Sequence, residues 1–235
     1  MPRYWVGTSG YNYPEWRGSF YPEKHPQKKM LPYYAARLDT VEINYTFYRM
    51  PTVRLLAGWS EQTPGHFRFT LKAPRRITHE ARLANCAETA RALCDAAGTL
   101  AHKRGTLLFQ LPPFFRKSLD RLKGFLDVLP EGARPAFEFR HASWHDDDVL
   151  DCLASSGAAL CVSDSEKLRT PVEVTAPFAY FRLRDQGYTD DDLIHWAGTI
   201  RKRTADCDDV YVYFKHEERG AGPLFAARLL EQLRA

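Results

Sequence analysis

Ala136-Phe137-Glu138-Phe139-Arg140-His141-Ala142-Ser143-Trp144 is the stretch from which the fold can be worked out. Its alternating aromatic side chains predict a β-strand that leads into a polar turn. Because successive strand side chains point to opposite faces, Phe137 and Phe139 share one face and Glu138 and Arg140 share the other. A carboxylate and a guanidinium on one face of an apolar strand need a partner or a ligand, since an isolated buried charge is costly.

The same strand pattern recurs along the chain, and helical patterns separate most of its occurrences. The other predicted strands are Tyr4–Thr8, Thr40–Asn44, Phe67–Lys72, Thr106–Leu111, Ala158–Val162, Phe178–Arg184 and Val210–Lys215. Eight alternating strand–helix units favour a single (β/α)8 TIM barrel over residues 1–235. An open doubly wound sheet is the alternative, but no G-x-G-x-x-G follows any strand. Residues 163–177 contain two prolines and no helical stripe, so we expect a loop in place of the sixth helix.

Composition indicates a soluble protein without structural disulfides. The five cysteines are odd in number and form no C-x-x-C pair, so buried reduced thiols are expected. No stretch approaches the roughly 20 apolar residues of a membrane span. The first five residues lack the apolar region of a signal peptide, so we expect a cytoplasmic protein with no membrane partner. No obligate protein partner is predicted. The net charge of +4 permits an anionic partner without requiring one.

The barrel interior is predicted to be unusually polar. The outer strand face packs against helices and should be apolar, so the residues between the apolar ones point inward. The inward set is Glu42, Asn44, Arg68, Thr70, Lys72, Leu108, Gln110, Glu138, Arg140, Tyr180, Arg182, Arg184, Tyr211, Tyr213 and Lys215. Two interpretations remain open: internal ion pairs, for example of Glu42 or Glu138 with Arg182, or a functional site at the carboxyl ends of the strands, where barrel enzymes place theirs.

Cationic side chains outnumber carboxylates at that end, which predicts an anionic, phosphate-containing ligand. Arginine offers paired donors that fit phosphate or carboxylate. The predicted ligand-binding residues are Asn44, Tyr48, Gln110, Arg140, Trp144, Arg182, Arg184, Lys215 and His216. The first loop carries five aromatic residues, Tyr11, Tyr13, Trp16, Phe20 and Tyr21. They either line the cleft and stack on bases or sugars, or form an apolar cluster that caps the barrel.

Several ordered motifs resemble the YecE-like family, catalogued as domain of unknown function 72. They are Gly7-Thr8-Ser9-Gly10-Tyr11, Phe20-Tyr21-Pro22, Val41-Glu42-Ile43-Asn44, Lys72-Ala73-Pro74, Ile77-Thr78-His79, Leu108-Phe109-Gln110-Leu111-Pro112-Pro113 and Glu138-Phe139-Arg140-His141. The resemblance implies a TIM barrel grouped with xylose-isomerase-like and endonuclease-IV-like barrels, and no established reaction. Many members carry Arg-Leu-His-Gly at strand seven and Tyr-Phe-Asn-Asn at strand eight. This chain has Arg182-Leu183-Arg184-Asp185 and Tyr213-Phe214-Lys215-His216 instead.

Three side chains are predicted to be catalytic: Lys72, Glu138 and His141. Lys72 would act as a base or Schiff-base nucleophile if neighbouring cations lower its pKa, or would form an ion pair with Glu42 or Glu138. His141 would exchange protons with Glu138 orienting it, or would cap the following turn.

The reaction class stays open from the sequence. Phosphodiester chemistry on nucleic acid is the interpretation by analogy with endonuclease-IV-like barrels. The alternatives are a non-catalytic nucleic-acid or phosphometabolite binding module, a scaffold with a purely structural polar core, and a metal-dependent sugar-isomerase-like enzyme. If the chain is an enzyme, we expect a hydrolase or isomerase of the xylose-isomerase-like group. The candidate metal ligands are Glu42, Glu138, His141, Asp164 and His216. The predicted cations around them would repel a divalent metal ion, so no cofactor is predicted.

Overall fold

Eight parallel strands close into a barrel in the computed structural model, which describes residues 1–165, 168–185 and 187–235. The strands are β1 (Arg3–Ser9), β2 (Thr40–Ile43), β3 (Arg68–Lys72), β4 (Arg104–Gln110), β5 (Pro135–Glu138), β6 (Ala159–Ser165), β7 (Phe178–Leu183) and β8 (Asp209–Phe214). Neighbouring strands pair in the order β5-β4-β3-β2-β1-β8-β7-β6, and pairing of β5 with β6 closes the ring. The predicted TIM barrel is confirmed.

The helices α1 to α8 connect these strands. They are α1 (Met30–Ala35), α2 (Tyr45–Tyr48), α3 (Val53–Glu61), α4 (Ala87–Gly98), α5 (Leu119–Leu126), α6 (Asp147–Ser155), α7 (Asp190–Arg203) and α8 (Ala221–Arg234). Helix α7 begins at a capping box, in which the Thr189 hydroxyl accepts from the Asp192 N–H and the Asp192 carboxylate accepts from the Thr189 N–H.

The segment between β6 and β7 lacks a helix in its described residues, as expected from its prolines. Instead a two-residue strand, Leu168–Arg169, pairs antiparallel with the end of β6. No helix in the described part of the chain is long and apolar enough to cross a membrane.

Two apolar layers surround the strands, as the alternation of side chains requires. The outer layer joins strands and helices through residues such as Val41 and Phe109. The inner layer lies inside the barrel and consists of Trp5, Leu108, Ala136, Ala159, Cys161, Phe178, Tyr180, Tyr211 and Tyr213. The inward placement of Leu108 and the three tyrosines is therefore confirmed. All five cysteines are free and buried, also as predicted.

β1 lies unusually close to β2 at Gly7. A Cβ atom at this position would stand 2.1 Å from the carbonyl oxygen of Thr40. Only glycine fits there without separating the two strands.

Candidate functional site

A buried guanidinium joins three strands across the interior of the barrel, near the carboxyl ends of the strands. Arg182 of β7 is fully buried and donates from Nη2 to Glu42 Oε1 of β2 at 2.8 Å. Its Nη1 donates to Glu138 Oε2 at the end of β5. Both carboxylates are buried as well. The sequence-based expectation that Glu42 or Glu138 pairs with Arg182 is confirmed for both carboxylates.

Hydrogen bonds fill the remaining acceptor positions of the two carboxylates. Glu42 accepts from Ser9 Oγ at 2.6 Å and from the Tyr180 hydroxyl at 2.5 Å. Glu138 Oε2 accepts from Gln110 Nε2 at 2.8 Å. Burial alone would raise the pKa of both carboxyls. The charge of Arg182, together with these hydrogen bonds, outweighs burial and holds both pKa values below the ordinary range, so both groups are ionised.

Two further arginines converge on the other oxygen of Glu138. Arg140 Nε donates to Glu138 Oε1 at 2.8 Å, and Arg184 Nη1 approaches the same oxygen at 3.3 Å. Their side chains are 30% and 21% exposed, so they lie between the buried network and solvent. β5 ends at Glu138, so Arg140, which was predicted to belong to this strand, lies just beyond its end.

Lys72, the last residue of β3, lies beside this network but forms no ion pair with a carboxylate of the described residues. Its Nζ is 4.1 Å from the centre of the Phe47 ring. The predicted alternative, an ion pair with Glu42 or Glu138, is therefore wrong. Burial lowers the pKa of Lys72 to about 7, with the charge of Arg182 as the second cause and that of Arg140 as a smaller one. Neighbouring cations thus contribute as predicted, but burial contributes more.

His79 belongs to the same cluster and is absent from the predicted site residues. Its ring packs edge-on against Phe47 at 4.9 Å, and its Nδ1 lies 2.9 Å from the Thr78 hydroxyl. Burial, then the charges of Lys72 and Arg140, lower its pKa to about 4, so the imidazole is neutral at pH 7. The sequence feature that could have identified His79 as a site residue is its position in the motif Ile77-Thr78-His79, in the loop that follows β3.

His141 and Trp144 have structural roles in the loop after β5. His141 Nδ1 accepts from the Ser143 N–H at 3.1 Å, so His141 caps the short 3-10 helix Ala142–Trp144, as its alternative interpretation predicted. Trp144 is fully buried, stacks on Phe139 at 4.6 Å and donates from Nε1 to the Phe115 carbonyl. This burial leaves Trp144 no surface for a ligand and corrects its prediction as a ligand-binding residue.

Gln110 and Arg182 also lie beneath the cleft rather than in it. Both are buried and are held by Glu138. The prediction that they contact the ligand is corrected accordingly: they fix the position of the carboxylate to which Arg140 and Arg184 bind.

Lys215 and His216 line an adjacent depression of about 630 Å³, which also contains Arg184, Glu217 and Glu218. Lys215 is exposed, whereas His216 Nε2 lies 2.5 Å from the Asp185 carbonyl and its ring packs against Phe225. Burial lowers the pKa of His216. The carboxylates make this depression less cationic than the sequence suggested, and Arg184 connects it to Glu138.

The first-loop aromatic residues divide between the two predicted roles. Trp16 and Tyr21 are buried in an aromatic cluster that also contains Phe20. Tyr11 and Tyr13 instead line a cavity of about 350 Å³. Its other lining residues include Asn44, Tyr45 and Trp59. Tyr48, at the end of α2, is 76% exposed and packs only its edge against Phe47.

The arrangement does not fit a metal ion. In the described ranges, no group of three or more His, Cys, Asp or Glu side chains could hold one. Of the candidate ligands, Glu42 and Glu138 are bound to Arg182. Asp164 accepts from the Arg184 N–H and the Tyr188 hydroxyl instead.

A family model described as "Protein of unknown function DUF72" matches residues 5–235. The UPF0759 protein YecE of Escherichia coli is 36% identical over 112 residues, which cover 47% of this chain and 41% of YecE. The UPF0759 protein YunF of Bacillus subtilis is 23% identical, over 92% of this chain and 90% of YunF. The crystal structure of a DUF72 family protein from Thermotoga maritima superposes with a TM-score of 0.89 at 25% identity, covering 99% of this chain and 100% of that one.

Proposed function

The chain belongs to the DUF72 family of proteins of unknown function, and from that premise we propose that it binds a small anionic ligand at the carboxyl end of the barrel. Arg140, Arg184 and Lys72 would contact the phosphate or carboxylate group of this ligand. The observation that carries the proposal is the convergence of Arg140 and Arg184 on one oxygen of Glu138.

The charges of the cluster do not balance without a ligand. Three arginines pair with two carboxylates, and Lys72 beside them is partly protonated at pH 7: Arg140, Arg182 and Arg184 against Glu42 and Glu138. Arg182 already occupies one oxygen of each carboxylate. The outer arginines must therefore share what remains of Glu138, and an anion would supply the missing acceptors.

Donors for such an anion are present and oriented. Among the described residues, Arg140 donates only from Nε, so its terminal amino groups have no protein acceptor. The buried Nε of Arg184 has none either. Hydrogen bonds from guanidinium to phosphate or carboxylate are charge-assisted and frequently bidentate. Because Glu138 holds both guanidinium groups in place, they lose little conformational freedom when a ligand binds.

Isothermal titration calorimetry with inorganic phosphate and pyrophosphate tests this proposal. We expect saturable binding with one site per chain, and Arg140→Gln should weaken it at least about tenfold, because a hydrogen bond to a charged group contributes roughly 1.5–3 kcal/mol. Arg91→Gln is the matched control, since Arg91 is an exposed arginine of α4 that forms no ion pair with a described carboxylate. Equal affinities for the wild type and Arg140→Gln, or no saturable binding, would refute the proposal.

The surface beside the cleft favours a second candidate, a single-stranded nucleic acid. Exposed arginines occur in the segments after β2, β3 and β4, and exposed aromatic rings occur beside them in the segments after β2 and β4. We call this surface the basic rim; it comprises Arg49, Arg76, Arg82, Arg116, Tyr48 and Phe114. Arg82 lies 6.0 Å from the Phe115 ring, which joins the loops after β3 and β4. Cations that follow a backbone and aromatic faces that stack on bases are typical of single-strand binding.

Fluorescence anisotropy with a labelled single-stranded oligonucleotide distinguishes this candidate. Affinity should fall steeply between about 50 and 200 mM salt, since bound phosphates release counterions. The double variant Arg76→Gln/Arg116→Gln should flatten that salt dependence, whereas Arg140→Gln should leave it nearly unchanged. Weak, salt-insensitive binding would eliminate the nucleic-acid candidate and leave the small anion.

A further inference from the structure

We propose that Lys72 is a nucleophile that forms an imine with an aldehyde or ketone carrying a phosphate or carboxylate group. This inference rests on the proposed anion site and names the class of ligand that site would hold. The anionic group would bind Arg140 and Arg184, and the carbonyl carbon would face the Lys72 amine.

The surroundings of Lys72 differ from those of a structural lysine. The buried Lys103 is satisfied by oxygen atoms, since it donates to the Ser60 and Thr63 carbonyls at 2.6 and 2.7 Å. The side-chain nitrogen of Lys72 has neither a carboxylate partner nor a hydrogen bond in the described residues, and it lies over the ring of Phe47. No oxygen acceptor in the described part of the chain therefore stabilises its ammonium form, and the neutral amine carries the lone pair that a nucleophile needs.

Electrostatics keep much of this amine neutral near pH 7. Burial and the charge of Arg182, with a smaller contribution from Arg140, outweigh the opposing charges of Glu42 and Glu138 and lower the pKa of Lys72 to about 7. A neutral amine is the reactive form of a lysine nucleophile. The Phe47 ring that contacts Lys72 also contacts His79, whose neutral imidazole can pass a proton between the nitrogen and the oxygen of an adduct.

The charge of the cluster also selects the ligand class. The amine nitrogen attacks the carbonyl carbon, the C–N bond forms, and the two amine protons leave with the carbonyl oxygen as water. A proton from solvent then converts the imine to an iminium ion. That cation would meet the same two arginines, Arg182 and Arg140, that disfavour the ammonium form. A ligand that brings its own negative charge compensates for this, whereas a neutral carbonyl compound does not.

Reductive trapping tests the inference. The protein is incubated with pyridoxal 5′-phosphate and sodium cyanoborohydride, which delivers hydride to the iminium carbon and leaves a stable secondary amine on the lysine. Peptide mass spectrometry then locates the label. We expect Lys72 to be labelled at least about tenfold faster than the exposed Lys28, because far more of it is unprotonated. The rate should rise with pH with a midpoint near 7.

Three comparisons make the result decisive. Lys72→Arg keeps the cation and should abolish the fast labelling. Pyridoxal, which lacks the phosphate, should label Lys72 more slowly, and inorganic phosphate should slow labelling by pyridoxal 5′-phosphate. Labelling of Lys28 and Lys72 at similar rates would overturn the inference while leaving calorimetric phosphate binding, and with it the anion site, intact. Equal rates with pyridoxal and its phosphate would overturn the anionic ligand class.

Discussion

Replacing Arg182 by methionine removes the cation shared by Glu42 and Glu138 and should destabilise the barrel strongly. Methionine fills a similar volume, so the change is mainly electrostatic. Glu138 would keep Arg140 and Arg184, but Glu42 would keep only its hydrogen bonds from Ser9 and Tyr180. Leaving one member of a buried pair without its partner costs about 3–5 kcal/mol. For a chain of 235 residues this corresponds to a fall in Tm of roughly 6–20 °C.

Urea and thermal unfolding monitored by circular dichroism measure this loss, with Arg184→Met as the matched control. Arg184 contacts the same carboxylate but is partly exposed, and partly exposed ion pairs contribute roughly 0–1 kcal/mol. A loss below about 1 kcal/mol for Arg182→Met, or equal losses for the two variants, would contradict a buried network that depends on Arg182.

The pH dependence provides an independent check. In the wild type, Arg182 helps to hold the pKa of Glu42 below its ordinary value, so this carboxylate stays ionised from pH 7 to 5. Without Arg182, burial raises that pKa above the value in the unfolded chain. The folded variant then binds a proton more readily than the unfolded one, so its stability rises as the pH falls. The difference in free energy of unfolding between wild type and Arg182→Met should become smaller from pH 7 to 5. A difference that does not change with pH would refute this account.

Four further predictions concern packing and titration, and chemical or thermal unfolding measures the stability changes. Gly7→Ala should greatly reduce the yield of folded protein, because its Cβ would meet the Thr40 carbonyl. Gly58→Ala in α3, where a Cβ meets nothing within 4 Å, should stabilise the protein by about 0.5–1 kcal/mol. Trp144→Ala should lower the free energy of unfolding by about 3–5 kcal/mol and leave the phosphate affinity unchanged, since Trp144 is a core residue. The stability of the wild type relative to Lys72→Met should rise between about pH 7 and 10 by at most about 1.4 kcal/mol per pH unit, because the unfolded chain retains the proton that folded Lys72 has lost.

The fold was predictable because alternation and strand–helix order are local signals. The outward apolar residues of β2, β5 and β7, such as Val41, Phe137 and Phe181, indicated which residues face the interior. The structure places Glu42, Glu138 and Arg182 there. The prolines between β6 and β7 likewise indicated the missing helix. These inferences need only the side-chain period and the geometry of a parallel barrel.

The site was less predictable, because side-chain partners depend on distances that the sequence does not contain. Trp144 ends a motif with chemically capable neighbours, but its indole turns into the core to meet Phe115 and Phe139. An ion pair with a carboxylate was one of the two interpretations open for Lys72, yet Arg182 occupies both candidates. His79 became a site residue only through its shared contact with Phe47. In each case a residue distant in the sequence decided the outcome: Phe115, Arg182 or Phe47.

The position of β1 has a consequence for how the chain is synthesised. Its register with β2 covers only Thr8 and Ser9, whereas its register with β8 runs from Arg3 to Thr8. On the ribosome, the edge of β1 that pairs with β8 therefore stays unpaired until residues 209–214 have left the exit tunnel. Until that moment the exposed edge is open to pairing with other chains, so the barrel depends on its last strand for protection during translation.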